Sequence, residues 1–319
     1  MNILGVFNLE RRGDDLMNFF PNGEEEINLL KFLARYQYLR IEDAKYFFKS
    51  KKYYRTRISS LIKKHYLCKN KSNITLGDAG TEYAKIKGFE YNKINWNTKY
   101  KLRLLNVSSI AAFYYYNDIV DFFPSSEVKD AKSFTAKSRK YIGILSIDRF
   151  KYLTYYISKE HDQNYIASIL WDIQKEKNYR NIIVFVDDIR NINLDDFVFG
   201  KHEVLIVENN DSDKLFLQYY NRMHWEWVIE KYYGRKTVLS EYSFCDFTNH
   251  KDKFVSFFYF LDTEKINRIK YFIRENKEKK ADILCSKELR KKLEPILPNQ
   301  NYLEIDLDKY TKKEKINYV

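Results

Sequence analysis

The sequence predicts an α+β protein in two parts, a small helical head closed by a β-hairpin and a larger α/β domain with a mixed sheet. Three observations carry that prediction. Apolar residues recur at helical spacing in short segments between residues 24 and 65. A compact strand-turn-strand signal follows at 66–76, and from residue 141 to 305 short apolar runs alternate with amphipathic ones. The 319 residues (38.8 kDa) suffice for two domains, expected at 1–92 and 99–319, with a further division allowed near 235. Hydrophobic residues at 45% and charged residues at 31% permit a packed core, and 9 Gly with 4 Pro exclude a collagen-like or linker-rich chain.

In the head, Ile27, Leu30, Leu33 and Ala34 place a first helix over Glu24 to about Tyr36, behind an acidic first turn and with Gly23 as its cap. Ile41, Ala44 and Phe48 suit the inner face of a short second helix. Ser50 can cap a third helix from Lys51 to about His65, anchored by Tyr54, Ile58, Leu61, Ile62 and His65. Tyr66–Lys69 and Ile74–Leu76 read as strands around a polar turn, and Gly77 opens a further helix. Three helices followed by a hairpin is the order of a winged helix-turn-helix.

The charge falls on this segment. Lys plus Arg total 56 against 44 for Asp plus Glu, a net +12, which favours polyanionic partners. From Ala44 to Gly77 there is no acid at all, against Lys45, Lys49, Lys51, Lys52, Arg55, Arg57, Lys63, Lys64, Lys69 and Lys71. Lys52, Arg55, Thr56, Ser59 and Lys63 share the outer side of the third helix. There the small hydroxyls permit close approach to a major groove and the cations reach phosphates or guanine edges. Lys69, Lys71 and Asn73 belong to the wing. The expected partner is double-stranded DNA, and the structural alternative is a solvated lysine-rich face or a head used for protein contacts.

No apolar run reaches the roughly 18 residues of a membrane span. Met1 to Asp15 lacks the apolar stretch of a signal peptide. Three separated cysteines exclude a disulfide framework and any CxxC zinc site. A cytoplasmic protein without a membrane partner is expected.

In the second part, Tyr100 to Phe123 has amphipathic helical spacing. Tyr141–Ile147 and Tyr152–Ile157 read as a hairpin, Tyr165–Glu176 as a helix, and Ile182–Val186 and Val204–Val207 as strands buried on both faces. A helix is expected from Ser212 to about Met223. Strands at Phe254–Leu261, Asp282–Cys285 and Tyr302–Ile305 alternate with helices at Thr263–Lys277 and Lys287–Leu297. No internal repeat is apparent.

Phosphate loops, HExxH and GxSxG are absent, and the five His residues have no paired ligand spacing. Two acidic groupings remain. Asp187 and Asp188 close one strand and Glu208 the next, with Asp211 and Asp213 beyond; such carboxylates can hold a divalent metal, or merely cap helices and solvate turns. Glu127 and Lys129 form the E-x-K half of a restriction-endonuclease-type site, with Asp148 as the acid partner. The order is awkward, because that site places its first acid before the E-x-K.

The run Arg57-Ile-Ser-Ser-Leu-Ile-Lys-Lys-His-Tyr-Leu, followed by Ile74-Thr-Leu-Gly-Asp-Ala-Gly-Thr-Glu-Tyr, resembles the winged-helix pattern, with His65 where Gly is common and Gly77 where Thr is common. Together with Ser125-Ser126-Glu127-Val128-Lys129 and Ser138-Arg139 before Gly143, it is similar to the replication-relaxation family of plasmid and conjugative-element proteins. The resemblance implies a winged helix ahead of an α/β domain, restriction-endonuclease-like in some members, and a role in plasmid replication, transfer or transcription control. The α/β domain would then serve self-association as a homodimer or recruit replication or transfer proteins. No cofactor is expected for a DNA-binding protein. The alternatives are a metal-dependent nickase or relaxase, which would need Mg²⁺ or Mn²⁺, and a protein–protein adaptor.

Overall fold

The computed structural model describes residues 21, 23–91, 98–117, 119–129, 140–217, 233, 237–240, 245–249, 254–277 and 279–305. Of a linker expected over Asn92–Lys99, residues 92–97 lie outside them and Thr98 and Lys99 begin a helix; Ser138, Arg139, the helix expected beyond Leu217 and a basic tail expected over Lys309–Lys315 also lie outside them. The protein is of mixed α and β structure and divides into two compact units, Met1–Asn117 and Asp118–Val319.

The first unit begins with α1 (Glu24–Tyr36), whose acidic first turn suits the positive helix start. Next come β1 (Leu39–Arg40) and a 3₁₀ turn over Asp43–Phe47, where a second helix was expected. Then follow α2 (Tyr54–Lys63), β2 (Leu67–Asn70), β3 (Asn73–Leu76) and α3 (Asp78–Ile86). The strands form a three-stranded antiparallel sheet in the order β1-β3-β2. Leu29, Leu30, Leu33, Phe47, Ile58, Leu61, Ile74 and Ala84 are buried in this unit.

α4 (Thr98–Phe113) was expected to open the second domain and to continue to Phe123. It belongs instead to the first unit, packing on α1, β1 and the 3₁₀ turn. It stops at Phe113, and Val120–Pro124 form β4, buried and exposed in alternation. A run whose apolar residues satisfy both periods is decided by its partner strand, here β5.

The second unit holds two mixed sheets. β4, β5 (Gly143–Ile147) and β6 (Phe150–Ile157) form an antiparallel meander. α5 (Ser125–Lys129) is a single turn between β4 and β5. From β6 the chain crosses through α6 (Gln163–Lys175) to β7 (Asn181–Val186), parallel to β6, and then to β8 (Glu203–Glu208), parallel to β7. α7 (Asp211–Leu217) follows. The second sheet repeats the plan. β9 (Thr237–Leu239), β10 (Phe247–Asn249) and β11 (Phe254–Phe258) are an antiparallel meander. The run expected as one strand to Leu261 breaks here, and β12 (Leu261–Asp262) pairs with β8 on the edge of the first sheet. The chain then crosses through α8 (Thr263–Glu275) to β13 (Ala281–Cys285), and through α9 (Lys287–Leu293) to β14 (Asn301–Glu304), both strands parallel.

The α/β unit is therefore built twice on one module, contrary to the reading of the sequence as free of repeats. In the two crossover helices, equivalent residues stand 100 positions apart. Asp162 and Asp262 cap α6 and α8, each helix having 13 residues, and accept from Tyr165 N and Lys265 N at 2.8 and 2.9 Å. Ile166 and Ile266, and Ile169 and Ile269, occupy matching buried places in one shared apolar core, whereas on the strands that follow it is Ile182 and Val184, not Ile183, that join Ile283 in that core. Most other positions of the two modules carry different residues, so the repeated plan is not apparent in the sequence. The three cysteines are free. Burial pushes the thiol of Cys245 up to about 11 and that of Cys285 up to about 12. Among the described residues no helix is long and apolar enough to cross a membrane.

Candidate nucleic-acid interface

α2 is shorter than the sequence predicts. Ser50, Lys51 and Lys52 form a turn, closed by Tyr53 N donating to Ser50 O at 3.2 Å, and the helix starts at Tyr54 with no side-chain cap. Lysines at a helix start oppose the positive end of the macrodipole and no acid offsets them there, which accounts for the delayed start. Tyr54, Ile58 and Leu61 are buried, while Arg55, Thr56, Arg57, Ser59 and Lys63 are exposed and Lys64 is half-buried. The helix ends in a Schellman arrangement, with Tyr66 N donating to Leu61 O at 2.9 Å and His65 N to Ile62 O at 3.0 Å. His65 takes the left-handed conformation at φ 59°, the place where a glycine is at ease. Gly77 is fixed by a close approach instead, since a Cβ there would collide with the His65 carbonyl.

The hairpin turns at Lys71 and Ser72, and Lys71 is also left-handed at φ 56°. Lys69 and Lys71 are exposed, and Asn73 is half-buried, paired across from Arg40. Between α2, β1 and the hairpin lies a cleft of ≈ 530 Å³. Arg40, Arg55, Lys69 and Lys71 line it beside Ser59 and Ser72, with Glu42 the one acid among the described residues. Arg55 Nε donates to the Tyr54 hydroxyl at 3.1 Å, and that hydrogen bond raises the pKa of the guanidinium further. Arg40 was not anticipated from sequence; it is a lone cation beside the acids Glu42 and Asp43.

One of the anticipated contacts, Arg57, has a carboxylate partner within the fold, and Lys49 is held through its backbone. Arg57 Nη1 lies 3.0 Å from Oε1 of Glu26 on α1, with the Glu26 side chain 7% exposed and Arg57 47%. The Lys49 backbone N–H donates to Glu25 Oε1 at 2.8 Å. Arg57 therefore ties α2 to α1.

The E-x-K grouping does not assemble. In the β4–β5 pair, Pro124 faces Gly143 and Val120 faces Ile147. Glu127 and Lys129, beyond Pro124, are at one end of the pair and Asp148, beyond Ile147, is at the other. Four residue steps at about 3.4 Å separate those ends by over ~13 Å. Asp148 occupies the β5–β6 turn, left-handed at φ 54°.

The strand-end acids are also engaged. Val186 pairs with Glu208, so β7 and β8 deliver their carboxyl ends side by side, as the sequence predicts. Asp187 accepts from the Tyr156 hydroxyl at 2.6 Å and from Lys159 N at 3.2 Å. Asp188 accepts from Arg190 Nη2 at 2.6 Å, and the Arg190 hydrogen bonds pull its carboxyl down to about 2. Glu208 lies 2.9 Å from Lys292 Nζ, and its backbone N–H donates to Asp213 at 3.3 Å. Burial pushes the Asp213 carboxyl up to about 6. Among the described residues no group of three or more His, Cys, Asp or Glu is placed to hold a metal ion.

Set against known protein families, curated proteins and solved structures, the chain has no match in any of the three.

Proposed function

We propose that this protein binds double-stranded DNA through its first unit, used as a winged helix-turn-helix head, and serves a plasmid or other mobile element in replication, transfer or transcription control. The cleft between α2 and the hairpin carries the reading: four cations against one carboxylate, opening beside a helix face whose exposed residues include Thr56, Ser59 and Lys63. Phosphates would meet the cations of the hairpin and cleft, Arg55 among them, while Thr56, Ser59 and Lys63 would face base edges. The α/β unit would serve self-association or hold replication or transfer proteins.

Selection of bound duplexes from a random library tests this reading and yields the target together. A recurring motif should emerge and disappear with the double variant Arg55→Ala, Lys63→Ala. Recovery of no duplex at about 50 mM salt, or the same motif from the double variant, overturns it.

A further inference from the structure

The cleft beside α2 has a wall that no charge run in the sequence announces. Leu39 is fully buried, so strand alternation turns Arg40 away from the core. Ile41 N donates to Ser72 O at 2.9 Å, which fixes the end of β1 against the hairpin turn. Arg40 Nη2 donates to Oδ1 of Asn106 at 2.9 Å. Asn106 lies on α4, 66 residues away in sequence and 2% exposed. A buried amide needs hydrogen-bonding partners, and this one holds a guanidinium at the edge of a cationic cleft. Anchoring one nitrogen leaves the other donors of the five-donor fork to a ligand and reduces the ordering cost that a mobile arginine would meet on binding. A planar fork of this kind suits phosphate oxygens. Glu42 does not reverse the sign of the cleft, being one carboxylate against Arg40, Arg55, Lys69 and Lys71.

Resting on the DNA reading above, we infer that Arg40 contacts the phosphodiester backbone of bound duplex and that Asn106 is the residue that positions it. Duplex affinity then depends on α4 being seated on the head, and α4 is the segment that ends the first unit.

The test titrates the full chain with a labelled random-sequence duplex from about 50 to 200 mM salt. Each phosphate contact contributes about −0.9 to the slope of log K against log salt, so the penalty of Arg40→Ala should shrink about 3-fold across that range. Arg40→Ala is expected to weaken binding several-fold at the low-salt end and to flatten the slope by about 0.9. Arg40→Lys should keep the slope. Asn106→Ala should weaken binding by a smaller factor, and in the Arg40→Ala background it should change nothing. Wild-type affinity and slope in Arg40→Ala, with binding still lost in Arg55→Ala, overturns this inference and leaves the DNA reading standing. A wild-type chain that binds no duplex overturns both. An equal loss from Asn106→Ala with and without Arg40 means that Asn106 acts through the fold, and ends its positioning role.

Discussion

Arg57 separates a structural cation from a DNA-contacting one. Replacing it with alanine leaves Glu26, whose side chain is 7% exposed, without the guanidinium 3.0 Å away. A charge-assisted hydrogen bond to a buried carboxylate is worth about 1.5–3 kcal/mol. Because Arg57 is half exposed and water reaches that side, about 2 kcal/mol is the expected cost. For a unit of this size that amounts to a fall of roughly 8 °C in unfolding midpoint. Removing both charges should recover most of the loss, since no unpaired carboxylate then remains. Arg55→Ala is the control, an exposed side chain whose loss should lower duplex affinity and leave the midpoint within about 2 °C. Thermal unfolding and duplex titration of the four chains, wild type, Arg55→Ala, Arg57→Ala and the Glu26→Ala, Arg57→Ala pair, decide the matter. An unchanged midpoint in Arg57→Ala together with a salt slope flattened by about 0.9 would refute the tie between α1 and α2 and return Arg57 to the interface.

His65→Gly should stabilise the head by about 1 kcal/mol, because it relieves a non-glycine residue held left-handed; a lowered midpoint would count against that source of strain. Asp213 has a folded pKa of about 6, above its ordinary 3.8. The folded state keeps that proton between about pH 4 and 6, so its contribution to stability falls as pH rises through that window and stays lower above it. The ceiling is about 3 kcal/mol from a shift of about two units. Asp213→Asn should flatten the pH dependence of denaturant unfolding and stabilise at pH 8, and an unchanged profile would show that the carboxyl beside Glu208 and Lys292 is not strained by burial. Asp162→Ala and Asp262→Ala should each cost about 1 kcal/mol, as equivalent caps of equivalent helices; a loss at only one would break that equivalence.

Local signals fixed much of the fold. α1, the hairpin, α6, β7 and β8 lie within a few residues of their expected places, because each combines a clear period with a turn or cap at its ends. Expectation failed where longer-range contacts decide. Val120–Pro124 is a strand because β5 lies beside it, and α4 joins the head through contacts with α1 and β1 that no local pattern encodes. The break after Phe258 is likewise set by β8, which takes β12 as its edge partner. The repeated plan is hidden because the two modules agree in a helix cap and a few buried helix residues and differ in most others. At the candidate site, the outward face of α2 was legible from its helical spacing. The Glu26–Arg57 pair and the Arg40–Asn106 pair join residues 31 and 66 positions apart and left no trace in the local sequence. The separation of Glu127 from Asp148 follows from β-register, which the E-x-K spacing does not contain.

The central claim is that the cleft and outward helix face of the first unit bind duplex DNA by neutralising phosphates. The salt dependence of duplex affinity for the whole chain tests it most directly. With about four phosphates engaged, affinity should drop by roughly two decades between about 50 and 200 mM salt. A flat response, or retention undiminished when Arg55, Lys69 and Lys71 are replaced together, would contradict it.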